Sequence, residues 1–207
     1  MTGRFITLEG GEGAGKSTQA ALLATALRAE GIEVVATREP GGTPGAEAIR
    51  ALIVEGDPDR WSALTELLLV NAARADHVTR LIRPALARGA WVVCDRYIDS
   101  TLAYQGAGKG LQRDALIDQH RLATGNLWPD LTLVLDLPAL FGVARAAERG
   151  APDRFERTGG DFHERVAQAF RAAVIEDPAR VRLIDATRDP ASVAAAIWAE
   201  IEPLVAL

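Results

Sequence analysis

Cysteine is almost absent from this sequence, with Cys94 the only one in 207 residues. A disulfide-stapled secreted fold is therefore excluded. No apolar run approaches the roughly 18 residues that a membrane-spanning helix needs. The opening stretch Met1 to Gly13 lacks the apolar segment of a secretory signal. A cytoplasmic protein with no membrane partner is the expectation. A basic excess is missing too: 23 Lys and Arg stand against 28 Asp and Glu, a formal net charge of −5. That balance argues against a dedicated nucleic-acid binder, although it leaves room for a local basic pocket. There is no internal repeat, low-complexity tract or Ser/Gly linker, so residues 1–207 read as one domain.

What is present is alternation. Short apolar runs at Phe5 to Leu8, Glu33 to Thr37, Trp91 to Cys94, Leu131 to Leu135 and Val181 to Ile184 read as strands one to five. Helical patterns separate them at Lys16 to Glu30, Ala63 to Arg88, Arg113 to Thr124, Ala139 to Arg149, Phe162 to Glu176 and Pro190 to Leu204. Thr43 followed by Pro44 marks a further helix start, with Thr43 as cap. Ser62 opens the long Ala63 to Arg88 stretch, and Pro84 threatens its last turn. Phe162, Val166, Phe170 and Ala173 share one helix face, suited to packing on a sheet. Strands alternating with helices predict an α/β fold, a five-stranded parallel sheet covered on both faces.

Gly10-Gly11-Glu12-Gly13-Ala14-Gly15-Lys16-Ser17 fits G-x-x-x-x-G-K-[ST], and it leaves a strand and opens a helix as that phosphate loop must. Its glycines let backbone N–H groups turn inward onto phosphate oxygens, and the helix N-terminus adds partial positive charge. Lys16 is expected on the β and γ phosphates and Ser17, with its hydroxyl, on magnesium. Residues Gly10 to Thr18 are thus the expected ATP site. The GTPase signatures D-x-x-G and N-K-x-D occur nowhere. Two arginines instead follow strand ends, where open α/β sheets bind ligands: Arg38 after strand two and Arg96 after strand three. Each alone could be a surface charge; together they suit a second phosphate, that of an acceptor.

The ordered set Gly-Glu-Gly-Ala-Gly-Lys-Ser, Thr37-Arg38-Glu39-Pro40-Gly41-Gly42-Thr43, Ala-Ala-Arg74, Asp95-Arg96-Tyr97, Asp99-Ser100-Thr101, Ala-Tyr104-Gln105-Gly and Ile-Asp185-Ala-Thr187 resembles the thymidylate kinases of bacterial type over almost the whole chain. The resemblance implies a P-loop kinase fold with a short lid, ATP-dependent phosphorylation of dTMP to dTDP, Mg2+ and a homodimer. It implies that Glu12 contacts the deoxyribose 3′-hydroxyl, that Arg38 and Arg96 grip the acceptor phosphate, and that Arg74 bonds the thymine carbonyl. Thr101 and Gln105 would line the base and sugar pocket, and Tyr104 would crowd the 2′ position. Asp95 resembles a carboxylate near magnesium. Glu9 is a second acidic candidate there, or else an ion pair at a strand end.

Residues 149–160 look like the mobile lid, with Arg149 and Arg154 as its charge-supplying arginines, because the phosphate loop itself carries none. The family has a phenylalanine four residues before the base-reading arginine, where this chain has Val70. Either Tyr97 or Leu102 covers the ring, or thymine binds less tightly. A kinase for another nucleoside monophosphate or a deoxynucleoside is the alternative reading, followed by a nucleotide-binding regulator without turnover. His77, His120 and His163 lack metal-ligand spacing and read as surface or satisfied histidines.

Overall fold

The computed structural model describes residues 3–147 and 154–205. Five strands, β1 (Phe5–Glu9), β2 (Val34–Arg38), β3 (Trp91–Asp95), β4 (Leu131–Asp136) and β5 (Val181–Asp185), form one sheet in the order β2-β3-β1-β4-β5. All neighbouring pairs are parallel. β1 is buried from end to end, which is why its sequence runs nearly unbroken in apolar residues. From it, Ile6 and Leu8 face a core built with α1 (Lys16–Ala29) and α9 (Pro190–Val205), through Leu23, Leu27, Ile197 and Ile201. On the other face, Phe5, Val92 and Cys94 meet Val78, Ile82, Tyr97 and Ile98. Val134 and Val181 are covered there by Phe162, Val166 and Phe170 of α8 (Gly160–Glu176), as the spacing on that helix predicts. No helix among the described residues is long and apolar enough to cross a membrane.

α2 (Pro44–Val54) starts as expected, with Thr43 Oγ1 accepting from the Ala46 N–H. The stretch from Ala63 to Arg88 is not one helix. It divides into α3 (Ala63–His77), a wide π-type turn at Val78–Ile82, and α4 (Arg83–Ala87). Pro84 explains the division, because it brings no N–H to continue the ladder. Just before it, the Arg83 N–H reaches five residues back to the Val78 carbonyl.

A second wide turn was not legible in the sequence. The short α5 (Ile98–Thr101) runs into a π-type segment at Leu102–Gly108, ahead of α6 (Arg113–Thr124). It lies against Phe162, whose ring occupies the space that a side chain on Gly108 would need. α7 (Ala139–Ala147) completes the set. The carboxyl ends of β1, β2 and β3 deliver the phosphate loop, Arg38 and Asp95-Arg96 to one crevice, the usual ligand position in such sheets.

Candidate active site

The phosphate loop turns on residues with positive φ, among them Gly13 at 65° and Gly15 at 91°. α1 starts with no side-chain cap, so the N–H groups of its first turn are left for an anion. Lys16 Nζ donates to the carbonyls of Gly10 (3.1 Å) and Gly11 (2.6 Å). Burial, and after it Arg96, depress the lysine to about 8, against the pull of Glu12, Asp95 and Glu9. Ser17 Oγ donates to Asp95 Oδ2 at 2.5 Å.

Arg96 adopts φ 72°, a left-handed conformation rare for arginine. The turn aims its guanidinium back over the loop: Nη1 donates to the Gly10 carbonyl (3.0 Å) and Ser100 Oγ (3.2 Å), Nη2 to Glu12 Oε1 (2.9 Å). Burial opposes the charge on Arg96, but Glu12, then Tyr104, Asp95 and Glu9, outweigh it and raise its pKa. Burial likewise opposes charge on Glu12, yet Arg96 and Lys16 hold that carboxyl down to about 2. Tyr104 Oη donates to the same Oε1 at 2.7 Å. Glu12 Oε2 accepts no hydrogen bond among the described residues.

A cavity of about 710 Å³ opens beside this cluster. It brings together Glu12, Gly13, Gly15, Lys16, Ser17, Arg38, Val70, Arg74, Asp95, Arg96, Tyr97, Thr101, Tyr104 and Gln105 from the sequence-derived set. Gly10, Gly11, Ala14 and Thr18 belong to the loop without lining the cavity. Arg38 pairs with Glu47 at 3.2 Å and stays more than half exposed.

Arg74 is fully buried and tightly held. Its Nε donates to Glu39 Oε2 (2.7 Å), and Nη2 to the Tyr97 carbonyl (3.0 Å) and Thr101 Oγ1 (2.9 Å). Nη1 has no partner. Glu39 is gripped in turn by His77, with Nδ1 3.1 Å from Oε1, and His77 Nε2 meets Thr37 Oγ1 at 2.8 Å. Burial works against the charge on Glu39; Arg74 and His77 reverse that and lower its pKa. Gly42 is required here, since a Cβ on it would stand 2.5 Å from His77 Nε2.

Other expected residues fall elsewhere. Glu9 does not line the cavity. It forms no ion pair among the described residues; its oxygens accept from the Tyr97 N–H (2.7 Å) and Ser100 Oγ (2.5 Å). Burial, with Asp99, raises its pKa to about 7 against Ser100, Arg96 and Tyr97. Arg154 turns away from the phosphate loop: it is buried, donating to the Ile53 and Pro58 carbonyls and to Glu66. Arg149 lies outside the described residues.

Tyr97 is not a free ring for stacking on a ligand. It meets Phe5 edge-on at 4.8 Å, and its hydroxyl donates to the Leu127 carbonyl. Leu102 lines a separate cavity. The three histidines are all buried, none at the surface; His120 Nδ1 and His163 Nε2 have no partner.

Sequence reasoning missed Glu39, Glu66, Arg50 and Phe155. Arg50 and Phe155 line the cavity, the latter with its ring 5.7 Å from that of Tyr104. A signal existed for one of them: Glu66, Val70, Arg74 and His77 recur at helical spacing on the buried face of α3. Charged residues on such a stripe point to a polar network.

The chain matches the family model described as thymidylate kinase over residues 8–197. It is 55% identical over 197 residues to the thymidylate kinase of Rhizorhabdus wittichii, covering 94% of this chain and 95% of that one. It is 51% identical over 205 residues to that of Ectopseudomonas mendocina, covering 99% and 98%. The crystal structure of thymidylate kinase from Ehrlichia chaffeensis matches its fold with a TM-score of 0.79 at 32% identity, across 97% of this chain and 99% of that one.

Proposed function

The chain belongs to the thymidylate kinase family, and on that premise we propose how its residues carry out the reaction. It transfers the γ-phosphoryl group of ATP to dTMP, giving dTDP. ATP places its phosphates on Gly10 to Thr18, where Lys16 exchanges its loop carbonyls for phosphate oxygens. The acceptor phosphate lies between Arg38 and Arg96. The thymine carbonyl takes the free Nη1 of Arg74, and the 3′-hydroxyl takes Glu12 Oε2. Tyr104 closes the 2′ side. Val70 and the side chain of Phe155 line the apolar wall, in place of Tyr97 or Leu102.

The observation that carries this reading is one cavity lined by both Lys16 and Arg74, the latter holding an unpartnered buried donor. A phosphate monoester is nucleophilic near neutral pH, so its oxygen attacks in line without a dedicated base. The protein contributes positioning and fixed positive charge. Lys16 and Arg96 supply that charge, and Arg149 is the lid arginine assigned to join them.

Ser17 and Asp95 suit Mg2+, being hard oxygen donors. No group of three or more His, Cys, Asp or Glu that could hold a metal ion occurs among the described residues. Bound there, it would neutralise the phosphate charge. Exposed Leu64 and Leu68, one turn apart on α3, support a homodimer through that helix. The nucleotide substrates support a cytoplasmic location.

ADP release with ATP and a panel of dTMP, dUMP, dCMP, dGMP and thymidine tests the substrate assignment. dTMP is expected to give the highest kcat/KM. Turnover of another acceptor with none of dTMP would overturn it.

A further inference from the structure

Glu66 lies in the first turn of α3, fully buried and outside the cavity lining. Three donors converge on it. Lys109 Nζ reaches Oε2 at 2.7 Å, Arg154 Nη2 meets the same oxygen, and Gln105 Nε2 donates to Oε1 at 2.9 Å. A carboxylate placed against two cations can only accept. The amide of Gln105 must therefore turn its nitrogen toward Glu66. Its Oε1 accepts nothing among the described residues, and Gln105 lines the acceptor cavity. Glu66 thus decides which end of the amide a ligand meets.

A base in the cavity would then meet Arg74, whose buried Nη1 is an unpartnered donor, and Gln105, whose Oε1 is an unpartnered acceptor. A pyrimidine with a carbonyl beside a ring N–H presents the matching pattern, as thymine and uracil do. Cytosine reverses both atoms, with an amino group beside an unprotonated ring nitrogen. It would leave two buried polar groups facing their own kind, the costly situation in selective binding.

We propose that Glu66 is a specificity-determining positioning residue that fixes the Gln105 amide and so selects keto pyrimidines over cytosine. This rests on the acceptor-site reading above. Glu66 also ties this selection to Arg154, the lid-side residue anchored on the same carboxylate.

Glu66→Gln tests it. Arg154 and Lys109 would claim the new amide oxygen, leaving its nitrogen for Gln105, whose own amide must then turn its oxygen inward. The ratio of kcat/KM for dTMP over dCMP is expected to fall about 10- to 100-fold, while the ratio for dTMP over dUMP and the KM for ATP stay put. General loosening of the pocket would move all three. If Glu66→Gln does not fold, the double variant Glu66→Met with Arg154→Met removes the buried pair together and frees the same amide. A folded variant that keeps the wild-type dTMP over dCMP ratio overturns the proposal. Wild-type protein that ignores dTMP would instead overturn the underlying acceptor assignment.

Discussion

Around the phosphate loop the cation lies against backbone: Lys16 Nζ is held by the Gly10 and Gly11 carbonyls. In the half proposed for the acceptor the cations lie against carboxylates: Arg74 on Glu39, a buried pair, and Arg96 on Glu12, a half-buried one. The two halves face different problems. Carbonyl dipoles release a lysine readily when phosphate arrives, and the same loop suits any nucleoside triphosphate. Buried ion pairs lock side chains in place and leave chosen atoms free, so they can distinguish one small acceptor from another. The donor half is general and adaptable, while the acceptor half is prewired.

The largest test of this contrast is Lys16→Ala. Losing the only loop ammonium should lower kcat at least about a thousandfold with the circular dichroism spectrum unchanged. Near wild-type turnover would remove the donor half of the account. Next, Glu39→Gln should raise the KM for dTMP about 10- to 100-fold and leave the KM for ATP alone. Equal changes in both constants would show that the halves are not separable.

The pH profile should divide the same way. Lys16, depressed to about 8 in the free protein, loses its proton as pH rises. kcat/KM for ATP should therefore bend downward above about pH 8, approaching a tenfold loss per unit. With Glu12 held at about 2 and the pKa of Arg96 raised, neither group titrates there, so kcat/KM for dTMP at saturating ATP should not share the bend. Smallest of all, Tyr104→Phe removes one donor to Glu12 and keeps the ring. A KM increase for dTMP of about 3- to 10-fold is expected, consistent with losing one hydrogen bond to a charged group, with discrimination against ribonucleotides retained. Loss of that discrimination would move the 2′ filter from the ring to the hydroxyl.

The same contrast governs what could be read from the sequence. The sheet, its helices and the phosphate loop follow from local signals: apolar periodicity, a Thr-Pro helix start and glycines at fixed offsets. The acceptor half depends on pairs far apart in the chain. Glu39 sits inside a motif and Glu66 in a helix's first turn, where acids are common, and nothing local says that either is buried. Lid arginines are expected to meet ligand charge, which points Arg154 at the phosphates, but Glu66 and the Ile53 and Pro58 carbonyls hold it. The π-type turns escaped for a related reason. At Val78–Ile82 a proline two residues downstream reshapes the ladder, and at Leu102–Gly108 the neighbour is a phenylalanine from another helix.

Gly142, in the middle of α7, would look like a weak point, since glycine inside a helix costs about 1 kcal/mol relative to alanine. Yet a Cβ on it would overlap the Glu12 carbonyl, and a Cβ on Gly13 would overlap the Gly142 carbonyl. The two backbones touch directly. The phosphate loop is therefore not a portable module. Grafted onto another strand and helix, it would keep every residue of its signature and still fail to close, unless the host also supplied a bare patch of helix from the far half of the chain. What a pattern search recovers as eight consecutive residues is, in three dimensions, a device with a ninth part.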